Sequence, residues 1–383
     1  MKKLLVSALL TVSVLSATAQ EKPPLNGAKL SIKLESQEVI RKGNKYLLSQ
    51  QHEDGYWGEP TLPAFSAFAL RSLLLDPAYD PKKPVPPAIQ KGLDWLISQQ
   101  KVDGGIYGKG MGTYCTSAAI MALWAASPEI YKEELIKARN FLINQQTDWG
   151  VRGADDTEFD GGIGYGGTYA HSDLSNTSRA LEALYTTRSL ATDSGDKKAM
   201  ELDWAAALEF VSRCQNLEET NEGEKVGTDG SFVYFPGNSK AGELVDSETG
   251  RVSLRGYGSM TYSGLLSLAY ADLDESDPRV KAVVKWLSDN YTLEENPGLG
   301  GQGLFFYYHA MAKSLTAANL PSLTGKDGLK IDWRNDLATN VINLQREDGS
   351  WINTKASRWM ENDPILVTSY AVMTLEKIHA SLN

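Results

Sequence analysis

The chain has 383 residues, 42% of them hydrophobic and 22% charged, with a formal net charge of −10 at pH 7. That composition belongs to a globular protein with a substantial core. The acidic balance, with no basic stripe and no polybasic helix, excludes nucleic acid and anionic lipid as partners, and only two cysteines, Cys115 and Cys214, exclude a disulfide scaffold.

Lys2 and Lys3 precede a short apolar run, Leu4–Ser16, and Ala17-Thr18-Ala19 reads as a small-residue cleavage site before Gln20. The run is too short to span a bilayer well, so residues 1–19 are expected to be a secretory signal peptide. The mature chain is then periplasmic or secreted, without an integral membrane segment. Residues 20–32 read as a linker, and 33–383 as one domain.

From there one unit recurs. An amphipathic helical pattern ends in glutamines, an Asp-Gly turn follows, and a helix rich in Ala, Ser, Thr and Leu completes it. The first copy is Ile40–Gln51, the turn HEDGYWGEP, and Ala64–Leu75. The second runs from Ile89 to Ser127, where Ile89, Leu93, Leu96 and Ile97 share one helix face and KVDGGIYG forms the turn. Thr113 or Thr116 would cap its second helix. The third joins Ile136–Gln146 to His171–Arg188 through a glycine-rich insertion, and the fourth joins Trp204–Gln215 to Gly258–Leu273 through a polar insertion expected to hold a hairpin. The fifth pairs Val280–Tyr291 with Leu304–Asn319, and the sixth pairs Arg334–Gln345 with Pro364–Ile378.

Where no insertion intervenes the period is about 50 residues, the mark of stacked two-helix units. An open stack needs polar end repeats, yet copies one and six are as apolar as the rest. Closure into a ring follows: an all-α, α/α toroid of six hairpins, with apolar helices inside and amphipathic helices outside. All inner helices then run the same way, and their N-terminal turns meet at one mouth of a central cavity. Those turns carry Phe65, Thr113, Tyr114, Cys115, His171, Asp173, Asn176, Thr261, Tyr262, Tyr307, Tyr308, His309, Thr368 and Tyr370. A deep aromatic pocket with a few polar groups is the usual form of a small-molecule site.

QQHEDGYWG, QQKVDGGIYG and LQREDGSW resemble the QW repeats of squalene and oxidosqualene cyclases, and the paired-helix ring is similar to that of protein prenyltransferase β subunits. The chain looks like the secreted bacterial prenyltransferase and squalene oxidase repeat proteins, over about Lys33 to Leu375. The resemblance implies an isoprenoid or similar apolar substrate. It implies acid–base roles for Asp173, His171 and His309, and substrate-facing roles for Tyr114, Asn176, Tyr262, Tyr307, Tyr308 and Tyr370; the rings of Tyr114, Tyr262, Tyr307 and Tyr308 would stabilise carbocations.

Two departures stand out. Triterpene cyclases carry a DxDDTA-like element whose middle acid donates the proton. Here it reads DLSNTS, with Asp173 and Thr177 kept but Ser175 and Asn176 in place of the later acids, and a serine cannot protonate an alkene. Protein prenyltransferases bind zinc through Asp, Cys and His. His309 matches the last, but GSMTYSGLL offers neither of the others, so no metal and no cofactor is expected. A rearranged set of Cys115, His171, Asp173 and His309 would be the remaining route to a metal. The pair Asp155-Asp156 reads as solvated loop rather than a diphosphate-binding motif, and Gly161–Gly167 lacks the features of a phosphate loop.

Three functions stay open: an enzyme acting on an isoprenoid or another long apolar substrate, a non-catalytic envelope protein holding a lipid or peptide, and a polysaccharide lyase or hydrolase using Arg152, Arg179, Arg255 and Arg358 around an acidic sugar. If the signal reading holds, N-terminal sequencing of protein recovered from the envelope or medium will begin at Gln20; a chain still beginning at Met1 would overturn it.

Overall fold

The computed structural model describes residues 27–148, 157–166, 171–192 and 200–382. The signal peptide and Asp155-Asp156 lie outside the described residues. Six helical hairpins follow in order: α1 (Gly27–Ser49) with α2 (Ala64–Leu75), α3 (Pro87–Ser98) with α4 (Gly112–Ala126), and α5 (Lys132–Ile143) with α6 (Leu174–Thr186). After the single turn α7 (Ser189–Thr192) come α8 (Trp204–Arg213) with α9 (Gly258–Tyr270), α10 (Pro278–Asp289) with α11 (Leu304–Ala317), and α12 (Trp333–Asn343) with α13 (Pro364–Ser381). α1 starts at Gly27, inside the stretch that reads as a linker.

The second helices form a closed inner ring. α2 packs on α4, α4 on α6, α6 on α9, α9 on α11, α11 on α13, and α13 back on α2. The fold is therefore the expected α/α toroid. Inner helices are buried all round, as α2 is from Ala64 to Leu74, whereas an outer helix such as α3 buries one stripe of Ile89, Gly92, Leu93 and Leu96. The only strands among the described residues form two small hairpins. β1 (Glu243–Val245) pairs antiparallel with β2 (Val252–Leu254) in the fourth-copy insertion, as expected there, and β3 (Leu323–Thr324) pairs with β4 (Lys330–Ile331). No helix among the described residues is long and apolar enough to cross a membrane. Both cysteines are buried and unbridged.

The repeated glutamine ties the ring together. Gln51 Nε2 donates to Gly55 O of its own turn and to Ala88 O at the start of the next outer helix, both at 2.9 Å. Gln100 does the same to Gly104 O and Glu134 O, Gln146 to Gly161 O and Asp203 O, and Gln215 to Gly230 O and Arg279 O. Gln345 completes the circle, donating to Gly349 O and to Val39 O of α1, both at 3.0 Å. The fifth copy has Tyr291 instead, whose hydroxyl reaches Asp336 of α12 at 3.5 Å.

The turn glycine has two reasons to be glycine. Gly104 sits at φ +91°, and a Cβ there would fall 2.4 Å from Lys137 O on the next outer helix. A hydroxyl from the inner helix then pins the bulky turn residue. Ser66 accepts from Trp57 N–H, Thr116 from Ile106 N–H, Thr177 from Ile163 N–H, Thr261 from Phe232 N–H and Thr368 from Trp351 N–H. This corrects the expected threonine cap of α4. Met111 holds the N-cap position at φ 52° without a side-chain bond; Thr113 and Thr116 both lie inside α4, the Thr113 hydroxyl buried without a partner and the Thr116 hydroxyl committed to the turn.

Gln345→Ala removes two hydrogen bonds and leaves two carbonyls to find other partners, so urea unfolding should show a loss of about 1–3 kcal/mol. Gly104→Ala should cost at least about 1 kcal/mol through its left-handed backbone and the clash with Lys137. Unchanged midpoints would refute this account of ring closure.

Candidate functional site

A cavity of about 340 Å³ opens where the inner-helix N-termini meet. Five of the six inner helices line it: Met111 and Tyr114 at the start of α4, Ser175 and Arg179 one turn apart on α6, the adjacent Ser259 and Met260 on α9, Gly303 and Phe306 at α11, and Tyr370 on α13. Tyr165, His171, Tyr234 and Tyr257 come from the preceding turns, and Trp359, Met360 and Glu361 from a strap before α13. Trp359 and Met360 both hold φ near +60°, conformations that side chains of their size adopt only when surroundings enforce them. The enforcing contact is Glu361. Its buried carboxylate accepts from Phe306 N–H at 2.8 Å, Phe305 N–H at 3.3 Å and Asn353 Nδ2 at 2.7 Å, so the strap caps α11 from outside.

Arg179 dominates the interior of the site. Its guanidinium carbon lies 4.7 Å from the ring centroid of Tyr114, 4.9 Å from that of Phe306 and 5.7 Å from that of Phe68. Nη2 donates to the Tyr370 hydroxyl at 3.3 Å, and the Tyr370 and Tyr114 hydroxyls are 3.1 Å apart. At the mouth Lys240 sets its ammonium 4.2 Å from the Tyr234 ring centroid.

Of the residues expected at the site, Tyr114, His171 and Tyr370 line the cavity. His171 packs its ring 4.5 Å from Phe235 and leaves Nδ1 buried without a hydrogen bond. The others lie behind the wall. Asp173 is the N-cap of α6, with Oδ1 accepting from Asn176 N–H at 2.9 Å and Oδ2 from Asn176 Nδ2 at 2.8 Å, so both carboxylate oxygens are engaged by Asn176, whose own Oδ1 is buried without a partner. Burial pushes the Asp173 carboxyl up to about 6, against hydrogen bonds from Asn176 and the Tyr234 hydroxyl. Tyr307 and Tyr308 donate outward to Thr292 O and Leu293 O, and Tyr262 packs against Tyr307 with ring centroids 5.5 Å apart.

His309 lies beneath Tyr370, its ring centroid 5.7 Å away, and burial together with Lys313 and Arg71 keeps the imidazole neutral. Under it Glu182 accepts from Lys313 at 2.5 Å and from Arg71 at 3.4 Å. Although burial raises the Glu182 carboxyl, these two cations hold it well below the ordinary carboxylate range. Among the described residues no three His, Cys, Asp or Glu side chains gather to hold a metal ion, and Cys115, His171, Asp173 and His309 do not assemble.

Sequence reasoning missed Tyr165, Tyr234, Tyr257, Phe306 and the strap, and named Arg179 only as one arginine among several. The signal was available in Ser175. The cyclase-like alignment put the proton-donor position there, and Ser175 does face the cavity, with Arg179 one turn further on. The cavity thus presents a hydroxyl where that alignment puts an acid. The faces of Tyr114 and Phe306, which a carbocation would need, are already covered by a guanidinium.

No protein-family model matches the chain, and no curated protein matches it in sequence. Among solved structures it is similar to the type II terpene cyclase MstE from Scytonema. A variant of that enzyme in complex with merosterolic acid A, its product, superposes with a TM-score of 0.52 at 13% identity over 92% of this chain and 99% of that one. Another variant, in complex with the substrate geranylgeranyl dihydroxybenzoate, gives 0.51 at 13% identity over 92% and 99%. A possible member of the GH105 family from Salmonella enterica gives 0.50 at 11% identity over 97% and 100%. At such identities the likeness shows the fold alone: a terpene-cyclase-like α/α toroid, shared with that possible GH105 member.

The raised Asp173 carboxyl has a pH consequence. The native state holds this proton more tightly than the unfolded chain, so the contribution to stability is full below about pH 4 and is lost as pH rises through about 6. Asp173→Asn keeps an N-cap residue and removes the titration. The stability difference between variant and wild type should move by up to about 3 kcal/mol in favour of the variant between pH 4 and 7; a pH-independent difference would refute the assignment.

Proposed function

We propose that this toroid takes up one isoprenoid or similarly apolar small molecule in its central cavity, as a secreted or cell-envelope protein. The observation that carries the reading is the cavity wall: Tyr114, Tyr257, Phe306, Trp359, Met360 and Tyr370 enclose a space of about 340 Å³ reached from one mouth. Burying apolar surface against such a wall is worth about 25 cal/mol per Å² before the costs of binding. The toroid it shares with a terpene cyclase agrees with this reading.

Binding is better supported than acid-initiated cyclisation. The carboxylates beside the cavity, Asp173 and Glu361, are each occupied at a helix N-terminus. Ser175 has no proton acidic enough for an alkene, and Arg179 makes the interior unfavourable for a carbocation. His171 is the one predicted acid–base residue that faces the cavity.

Native mass spectrometry of the mature protein purified from a bacterial envelope, followed by organic extraction, tests this. A co-purifying isoprenoid or other apolar molecule is the expected result, and Trp359→Ala should lower its occupancy. An empty protein retained on an acidic polysaccharide column would replace the reading with a carbohydrate one.

A further inference from the structure

Among the described residues the inner helices bring Arg71, Lys313 and Arg179 close to the single carboxylate of Glu182. Arg71 and Lys313 share Glu182 as their hydrogen-bonded carboxylate partner. Arg179 lies one turn before Glu182 on the same helix, but no ion pair joins it to that residue among the described contacts. Its guanidinium donates a single hydrogen bond among the described residues, to the Tyr370 hydroxyl, and its Nε–H is buried without an acceptor. Glu376, also buried, is no counter-ion: burial holds its carboxyl well above the ordinary range, and neither oxygen has a partner. Asp173 caps α6 and Glu361 caps α11, so neither turns toward Arg179. A guanidinium has five N–H groups, and one held in an aromatic cage with most of them unused is costly unless something anionic completes it.

We propose that Arg179 is the anchor for a carboxylate on the bound molecule, so that the ligand is an amphipathic acid with its head between Arg179 and the Tyr114–Tyr370 hydroxyl pair and its apolar body along Phe306, Trp359 and Met360. The inference rests on the reading of the cavity as an apolar small-molecule site and names its substrate class. The planar fork of a guanidinium matches a carboxylate in a way that an ammonium does not. Tyr114 and Phe306 fix the plane of the guanidinium, and the paired hydroxyls supply further donors. Six inner-helix N-termini facing the same mouth add positive potential of the same sign. An acidic protein with a cationic pocket attracts an anion only at that pocket, which gives the site selectivity as well as affinity.

Isothermal titration of the mature protein with farnesoic acid, farnesol and tri-galacturonate separates the two claims. Farnesoic acid should bind at least tenfold more tightly than farnesol to the wild type, a comparison that needs no variant. Arg179→Gln should remove that preference, and Arg179→Lys should retain part of it, with circular dichroism confirming the fold of each. Equal binding of acid and alcohol overturns the carboxylate anchor and leaves the apolar site standing. Binding of tri-galacturonate alone, lost in Arg179→Gln, overturns the apolar reading and keeps Arg179 as an anion anchor. No binding of any of the three, or binding indifferent to Arg179→Gln, overturns the proposal.

Discussion

A side-chain amide bridging two backbone carbonyls holds this molecule in a ring. In five of the six hairpins the glutamine after the outer helix donates both to its own turn and to the next outer helix, at its start in four of them and at mid-helix where Gln345 meets Val39. Each bond spans a seam where two hairpins could otherwise slide. A single such bond contributes modestly, but the set is cyclic: the last glutamine, Gln345, reaches Val39 of the first helix, so no seam is left as an open end. The glycine and the Ser or Thr hydroxyl of each unit serve the same joint. One lets the turn approach the next helix, and the other holds the turn against its own inner helix.

The cavity is a consequence of that joint. Because every hairpin is held in the same sense, the inner helices are parallel, and their N-terminal turns and the preceding loops meet at one mouth. The loops vary most, with the glycine-rich and hairpin-bearing insertions in copies three and four. They bring Tyr165, Tyr234, Tyr257 and Lys240 to a scaffold built to a constant plan. The opposite requirement holds deeper in the ring. There the inner helices bury charged side chains, and Glu182 forms a paired cluster with Lys313 and Arg71. Arg179 stands between the two zones, charged like the interior and open to the cavity.

Residue by residue, the boundary between what could be read early and what could not is sharp. Ile89, Leu93 and Leu96 announced an outer helix by their spacing, and Gln100 with Asp103 and Gly104 announced the joint. Asp173 was visible as a candidate acid because of its neighbours Ser175 and Thr177, yet its carboxylate is spent on the cap of α6 and on Asn176. Tyr307, Tyr308 and His309 stood in the right turn of α11, but Phe306 is the residue that faces the cavity. Trp359 and Met360 lay in a short link with no pattern of its own; their place at the mouth depends on Glu361 capping a helix from another hairpin.

The sequence by itself determined the repeat, the alternation of amphipathic and apolar helices, the closure of the ring and the end at which a site would lie. Those follow from local patterns and from the need to bury the faces of the first and last units. Only the tertiary structure decided which residues meet in the cavity. An inner helix is buried on every side, so its sequence carries no polar stripe to mark the side that faces a void rather than a neighbour. That choice is made by the rotation of each helix in the ring, which depends on all the others at once. The same rotation turned the Asp173 carboxylate into the wall and left Arg179 facing the space.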